Sequence, residues 1–389
     1  MDKWNEIKFS DLFSYIPNNT FSRADLNYEL GEYKNVHYGD VLIRFGPILD
    51  AGSEALPYIT GYDNCKKESL LMDGDVIIAD TAEDETVGKA TEIINIGYQK
   101  IVSGLHTIAC RPVIKMAPTY LGFYINTENY HKQLFALMQG VKVLSISKSN
   151  IEGTTIRYPN LCEQTKICSL LTLLESRLGK QRELIEHLKK YKRGFISHIF
   201  SSNSSWTEHT ISEIGIVVTG NTPPTNNAEN YIGDKLFCAP GDLGQCKYIS
   251  KTEKQISEAA LNKSRKIPKG SVLVTCIGST IGKLGIANEE MLTNQQINSI
   301  IVHGTYCNEF VYYALEYNFP RFLSHVGKQA VPILSKGQFE ELSLLLPSIE
   351  EQRKFAAMAS LLDARIEQSV AFLNCLSNYK RGILQQLLI

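Results

Sequence analysis

The feature that most constrains this chain is that it contains itself twice. The opening Trp4-Asn5-Glu6-Ile7-Lys8-Phe9-Ser10-Asp11-Leu12 returns as Trp206-Thr207-Glu208-His209-Thr210-Ile211-Ser212-Glu213-Ile214, and the chain has only 2 tryptophans. Pro159 to Phe200 aligns without a gap on Pro347 to Leu388. Identical pairs include Pro159/Pro347, Glu163/Glu351, Gln164/Gln352, Leu174/Leu362 and Arg177/Arg365, and Tyr191-Lys192-Arg193-Gly194 recurs whole as Tyr379-Lys380-Arg381-Gly382. The same offset reaches upstream to Ile146/Leu334 and Ser147-Lys148/Ser335-Lys336. Self-similarity of this kind decides architecture before any local reading. The chain is two copies of one unit, each a mixed domain of about 150 residues followed by a segment of about 40. The expected boundaries are a domain at 1–158, a helical segment at 159–203, a second domain at 204–346 and a second helical segment at 347–389.

The repeated segments read as long helices. Positions 171, 174, 178, 181, 185, 188, 192, 195 and 199 hold Leu, Leu, Leu, Gln, Ile, Leu, Lys, Phe and Ile. The spacing alternates three and four, the seam of a coiled coil. The second copy repeats it from Ala359 to Leu387, with polar residues at the same two places, Gln181/Ser369 and Lys192/Lys380. Pro159 and Pro347 stand just before each helix, where proline is tolerated, and Glu163 and Glu351 suit the positive end of the helix dipole. About 35 residues make a rod of ~50 Å. If the units are related by a two-fold, the helices run antiparallel. The expected fold is therefore α+β, two pseudo-repeated α/β domains joined by two long antiparallel coiled-coil helices.

Within the domains, Asp73-Gly74-Asp75 is a turn and Val76-Ile77-Ile78-Ala79 a strand; Pro268-Lys269-Gly270 and Ser271 to Ile277 are their counterparts. Val87-Gly88-Lys89 echoes Ile281-Gly282-Lys283. The loops between are unlike, Asp80-Thr81-Ala82-Glu83-Asp84-Glu85-Thr86 against Gly278-Ser279-Thr280. A shared frame with divergent loops suits two readers of different targets.

Catalytic signatures are missing. Gly278 to Leu284 has one residue too few between its glycines for a phosphate loop, and Leu284 stands where Ser or Thr should hold magnesium. No glycine-rich dinucleotide or AdoMet-type loop, G-x-S-x-G elbow, H-x-x-x-H pair or C-x-x-C pair occurs. The 9 scattered cysteines read as free thiols in a reducing cytoplasm. The N-terminus lacks the apolar core of a signal peptide, and no run approaches the ~18 residues of a membrane span. Lys and Arg total 40 against 41 Asp and Glu. A protein that holds nucleic acid alone by charge is usually basic, so any nucleic-acid role here must use local patches or a partner's charge.

The layout resembles the specificity (S) subunit of type I restriction-modification enzymes over essentially the whole chain. The residues that carry the resemblance are Leu346-Pro347-Ser348-Ile349-Glu350-Glu351-Gln352-Arg353 with its weaker first copy Tyr158 to Thr165, Gly220-Asn221-Thr222-Pro223-Pro224, Pro268 to Leu273, Ile281-Gly282-Lys283 and Thr293-Asn294-Gln295-Gln296. The first domain departs from the pattern, with Pro17-Asn18-Asn19-Thr20 in place of the Gly-Asn-Thr-Pro opening, and an acidic loop. The resemblance implies two target-recognition domains, each reading one half of a split double-stranded DNA sequence, and helices that set the spacing. It implies two modification subunits for adenine N6 methylation docked on the helices, and motor-nuclease subunits in some assemblies. It implies no catalysis and no cofactor on this chain, with AdoMet, ATP and magnesium on the partners. A ~50 Å rod spans about 15 base pairs. The competing expectations are a fused enzyme and an adaptor with two ligand-binding domains on a coiled coil.

Loop position and donor chemistry select candidate DNA contacts. In the second domain these are Ser279, Thr280, Lys283, Gln295 and Gln296, the glutamines suiting adenine edges. Lys328, Gln329, Ser335 and Lys336 nearly match Lys142 and Lys148 of the first copy and suit phosphate. Arg44, Lys89 and His106 are the first-domain candidates. Asp80, Glu83, Asp84 and Glu85 are awkward beside phosphate, though a carboxylate can accept from cytosine N4. Tyr191, Lys192, Arg193, Tyr379, Lys380 and Arg381 repeat where the loops do not, so they are candidates for the helix bundle and the dock for modification subunits.

Overall fold

The computed structural model describes residues 4–61, 69–140, 142–201, 205–323 and 332–388. The chain divides into two compact units, Met1–Gln181 with Phe372–Ile389, and Arg182–Ala371.

In the first unit, five strands form the central sheet in the order Phe13–Ile16, Thr107–Pro112, Val76–Ala79, Ala90–Ile94, Ile48–Asp50. Neighbours are antiparallel except the last pair. The β-branched Val76–Ala79 strand is buried on both faces. Val76 and Ile78 enter one core, and Ile77 and Ala79 enter another, the period of two expected of a strand. Gly74 supplies the left-handed turn before it (φ 90°). A second sheet pairs Lys100–Ser103, Tyr33–Val36, Tyr58–Ile59 and Leu26–Asn27.

The second unit repeats the central sheet strand for strand, in the order Gly215–Thr219, Ile297–Val302, Val272–Thr275, Leu284–Ala287, Tyr248–Ile249, with the same directions. Val272 and Val274 point into one core and Leu273 into another. Its smaller sheet has three strands where the first unit's has four. Each domain also closes on itself: Asn5–Lys8 pairs antiparallel with Thr155–Tyr158, and Thr207–Thr210 with Ser343–Leu346. That pairing brings the start of each domain to the start of its helix.

The repeated Glu-Gln dipeptide explains how each helix is launched. Ser348 and Glu351 form a reciprocal cap, Ser348 Oγ accepting from the Glu351 N–H and donating to Glu351 Oε2 at 2.8 Å. In the first copy Asn160 Oδ1 accepts from the Glu163 N–H at 3.0 Å. The neighbouring glutamines are buried pins. Gln164 accepts from Ala117 N–H and donates to the Pro159 carbonyl, and Gln352 does the same with Cys307 and Pro347, each bond at 2.9 Å.

The helices run Leu161–Ser201 and Ile349–Leu387, 41 and 39 residues. At 1.5 Å per residue each is about 60 Å long, longer than the 35-residue estimate because the last turns enter a domain core. Every seam position is buried or half-buried. In the first unit Lys380 pairs with Glu175 and Arg177 lies 5.9 Å from the Phe372 ring. In the second, Lys192 pairs with Asp363 at 2.8 Å. Glu175 and Asp363 hold the same place in the repeat, as do Lys380 and Lys192, so one charge pair recurs in both units. Higher numbers on one helix meet lower numbers on the other, so the helices are antiparallel. Each helix ends inside a core: Phe195, Ile196 and Phe200 in that of the second unit, and Ile383, Leu384, Leu387 and Leu388 in that of the first. Among the described residues, no helix is long and apolar enough to cross a membrane.

Candidate nucleic-acid interface

One end of each central sheet gathers the unlike loops. In the first unit, the segments after Ile16, after Ala79 and before Thr107 meet there, and the Ile146 N–H binds the Asp80 carbonyl at 2.8 Å. In the second, the same end collects the segments after Thr219, after Thr275 and before Ile297, and the Leu334 N–H binds the Cys276 carbonyl at 2.8 Å.

The Gly-Lys dipeptide common to both ends has a steric cause. Gly88 and Gly282 have φ of 86° and 91°, and a Cβ there would lie 2.5 Å from Leu134 Cδ1 and 2.6 Å from Phe319 Cδ1. Only glycine fits both the left-handed backbone and the packed side chain. The following lysines are partly committed. Lys283 runs its stem along Gly244. Lys89 donates to the Leu42 carbonyl, and burial pushes its ammonium pKa down.

In the second unit Ser279 is exposed on the turn, Thr280 is half-buried, and the Lys283 N–H donates to the Thr280 carbonyl at 3.2 Å. Gln295 accepts from the Thr222 hydroxyl, and Asn294 Oδ1 holds the Gln296 N–H at 2.7 Å. Beside them, a cleft of about 680 Å³ is lined by Thr222, Tyr231, Phe237, Asp242, Lys254 and Asn294 among others. Ser335 caps the helix Lys336–Glu340, donating to Gln338 Oε1 at 2.9 Å and accepting the Gln338 N–H at 3.3 Å. Ser147 caps Lys148–Glu152 by accepting the Asn150 N–H at 3.2 Å, so the repeated Ser-Lys is a helix start with a lysine on its first turn. Lys336 lies 3.4 Å from Glu340. Lys328 and Gln329 lie outside the described residues.

In the first unit Lys142 and Lys148 are exposed, and Lys148 Nζ stands 5.2 Å from the Tyr15 ring centre. Arg44 lies beyond the helix Tyr38–Ile43, bound to Glu54 at 2.9 Å. His106 is at the sheet end, its Nδ1 3.4 Å from Asp80 Oδ1 and its ring edge-on to Tyr38 at 5.4 Å. Asp84 accepts from the Thr86 N–H and hydroxyl, and those bonds hold its carboxyl below the usual range. The structure therefore brings His106 together with Asp80 and Thr81 of the acidic loop, sets Lys148 against Tyr15, and leaves Arg44 apart.

Sequence reasoning named Thr222, Asn294 and Asp80 without their positioning role, and passed over Tyr38. Thr222 and Asn294 hold the two glutamines, and Tyr38 and Asp80 frame His106. The departure at Pro17-Asn18-Asn19-Thr20 is a different solution to one problem. A Cβ at Gly220 would fall 2.2 Å from the Thr293 carbonyl oxygen, so glycine lets two backbones touch. In the first unit amide side chains bridge the gap instead, Asn18 donating to the Thr107 carbonyl at 3.1 Å and Asn19 to that of Ser103 at 2.8 Å.

The helices carry a second repeated feature. Leu173, Leu184 and Tyr191 are exposed and spaced by whole turns, so they share one face beside the seam. Leu361, Phe372 and Tyr379 repeat them place for place, and exposed Leu170 matches Met358. Sorted by unit, Leu170, Leu173, Phe372 and Tyr379 belong to the first, and Met358, Leu361, Leu184 and Tyr191 to the second. Each unit thus exposes one of every pair. Arg193 and Arg381 are exposed or half-exposed nearby, whereas Lys192 and Lys380 are in the seam pairs, 13% and 19% exposed.

A family model described as type I restriction modification DNA specificity domain matches residues 1–190 and again 203–370. The chain is 33% identical over 168 residues to the type I restriction enzyme MjaIX specificity subunit of Methanocaldococcus jannaschii, covering 42% of this chain and 39% of that one. It is 31% identical over 150 residues to the HindI specificity subunit of Haemophilus influenzae, covering 37% and 32%. The matches thus span a third to two fifths of these relatives' lengths. The crystal structure of the type I restriction-modification S subunit from M. genitalium aligns at TM-score 0.62 and 15% identity over 99% of this chain and 96% of that one. A chain from work on complex assembly and conformational transition of the type I R-M system aligns at 0.60 and 16% identity, over 100% and 98%.

Proposed function

Because the chain belongs to the type I restriction-modification DNA specificity family, we propose that it is the address subunit of such a complex, reading a split double-stranded DNA target without catalysing anything itself. Residues 1–158 and 204–346 are the two target-recognition domains, and 159–203 and 347–389 the spacer that sets the separation of the half-sites. The observation that carries this reading is the pairing of one duplicated frame with two unlike sets of loops at the same sheet end. A duplicated frame serves a common geometric task, and unlike loops serve different sequences.

Each unit presents one matching apolar patch on the helices, which suits a partner present in two copies. We assign these patches, with Tyr191, Arg193, Tyr379 and Arg381, to docking of two modification subunits that carry AdoMet; ATP and magnesium belong to motor-nuclease subunits where those join. Net charge near zero supports this division of labour, since phosphate neutralisation supplies much of the affinity for DNA. Ser279, Thr280, Lys283, Gln295, Gln296, Lys328, Gln329 and Lys336 are the contacts assigned to the second half-site. Arg44, Lys89, His106, Lys142 and Lys148 are those assigned to the first, with Lys89 and Arg44 dependent on release from Leu42 and Glu54. Ser335 serves by capping the helix that carries Lys336. The site of action is the cytoplasm.

The test is co-expression with its cognate modification subunit and mapping of methylated adenines. One split motif with a fixed gap is expected, and replacement of residues 206–345 should change only one half of it. A stable complex that methylates no split motif refutes the reading.

A further inference from the structure

His106 and Gln296 hold the same place in the two units. Each directly precedes the strand paired with the middle strand of its sheet, Thr107–Pro112 or Ile297–Val302. Each gives its carbonyl to the equivalent partner, His106 to the Asp80 N–H at 3.2 Å and Gln296 to the Cys276 N–H at 2.8 Å. The backbone frame is common and the side chains are chemically unlike.

The His106 side chain is held in place, and Gln296 is fixed through its backbone. His106 has φ of 55°, a left-handed backbone that non-glycine residues rarely adopt. Its Nδ1 lies 3.4 Å from Asp80 Oδ1 and 3.5 Å from Thr81 Oγ1, whose own hydrogen goes to Asp80 at 2.8 Å. Facing two acceptors, Nδ1 carries a ring proton, and Nε2 is the nitrogen left to present. The edge-on ring of Tyr38, 5.4 Å away, limits rotation of the imidazole. Gln296 is held by its backbone N–H on Asn294 Oδ1 at 2.7 Å. Its amide nitrogen passes 3.6 Å from where a Cβ of Gly278 would be, so the glycine keeps the space above the amide open.

We propose that His106 and Gln296 are the equivalent base-reading residues of the two recognition units, each deciding one base pair of its half-site from the major groove. This deepens the DNA-specificity reading and rests on it. The Gln296 amide has the donor and acceptor needed to pair with the N6/N7 edge of adenine, and His106, with its proton on Nδ1, offers Nε2 as an acceptor to a base amino group, adenine N6 or cytosine N4. Backbone strain persists where surrounding structure enforces it, and such positions cluster at functional sites. A residue kept in a left-handed conformation, with its ring fixed by a carboxylate and an aromatic neighbour, fits that description.

The experiment uses the full chain assembled with its modification subunit, with methylated adenines mapped for His106→Gln, Gln296→His and His106→Gly. His106→Gln should change base preference at one position of one half-site and leave the other half intact; Gln296→His should do the converse. Discrimination at the affected position should fall about 5- to 150-fold. His106→Gly relieves the backbone strain, so the thermal midpoint should hold or rise while preference at the His106 position is lost. An unchanged motif in both exchange variants, at full or reduced methylation, overturns the proposal. A lowered midpoint with an intact motif in His106→Gly assigns the histidine to structure and also overturns it. A wild-type complex that methylates no split motif fails the underlying reading instead.

Discussion

Ending the chain after Gly382 tests how the first recognition unit is held together. Residues 383–388 lie far along the sequence from the first domain, yet Leu388 is 0% exposed and packs in one core with Val76, Ile78, Tyr120 and Ile156. Ile383, Leu384 and Leu387 are partly buried against the same core. Full burial of a leucine or isoleucine is worth about 1.5–3 kcal/mol, so one full and three partial burials come to roughly 4–8 kcal/mol. That is comparable with the ~5–15 kcal/mol stability of a whole domain. The truncated chain should therefore lose most of the first unit's protection while the second unit keeps its own. Leu388→Ala is the milder form, at about 2–5 kcal/mol. Hydrogen exchange read by mass spectrometry separates the units: amides in Val76–Ala79 and Tyr120–Ile125 should exchange at least about 30-fold faster in Leu388→Ala, with Val272–Thr275 unchanged. Phe200→Ala should produce the reverse pattern, because Phe200 stacks on Tyr317, meets Trp206 edge-on and packs at a tilt against Phe310 in the second core. Equal acceleration in both units, or none in Val76–Ala79, would refute the crossed packing.

Four further outcomes follow from particular contacts. Glu92 is 2% exposed and accepts from the Thr119 and Gly122 N–H groups at 2.6 and 2.9 Å, and burial raises its pKa from 4.5 to about 7. A folded carboxyl that holds its proton to higher pH than the unfolded one loses stability as pH rises from about 4.5 through 7, by about 3 kcal/mol in all; Glu92→Gln sets a non-accepting NH2 against one of the two N–H groups and starts less stable, but its denaturation curves should hold between about pH 5 and pH 8 where those of the parent shift. Lys247→Met removes a buried ammonium that donates to Glu309 at 3.1 Å and Ser360 at 2.6 Å, and should cost about 3 kcal/mol, most of it recovered when Glu309→Gln is added. Gly282→Ala should cost more than about 1 kcal/mol in chemical denaturation, since φ is 91° and the Phe319 ring occupies the Cβ position. Tyr191→Asp or Tyr379→Asp alone should leave one modification subunit bound in native mass spectrometry, and the double variant none.

Much of this was legible because it occurs twice. The helix seams, the two polar seam positions and the Glu-Gln helix start stand out by repetition, and a β-branched run after a turn identified Val76–Ala79 and its counterpart. Function of individual repeated residues was less legible. Ser335 is a cap and Gln352 a buried pin, because a polar residue that recurs beside a helix start has backbone N–H groups close at hand. The small sheets were not read, since two-residue strands such as Leu26–Asn27 are too short to show alternation. Nor was Asn18 seen to replace Gly220, because an amide bridge and a close backbone approach share a purpose without sharing a residue type. Lys89 was selected for its charge, but in the folded protein its ammonium is turned onto the Leu42 carbonyl.

The crossed packing also gives a physical reason for where the two copies agree. The last turns of each long helix face a domain core on one side, while the turns before them carry seam pairs such as Lys380 with Glu175 and the exposed stripe through Tyr379. A substitution there disturbs core packing, the seam or the exposed face at once, and the coupling between neighbouring contacts makes compensation difficult. The sheet-end loops have no such burden. Asp80 to Thr86 and Gly278 to Thr280 hang from the same two strands, anchored by the same backbone bonds to Ile146 and Leu334, so their contents can differ without altering the frame. Exchange of one recognition domain should therefore succeed when the incoming segment keeps the groups equivalent to Ala117 or Cys307 that receive the glutamine pin. It should fail when that N–H is displaced, because Gln164 or Gln352 is then left buried without its partner.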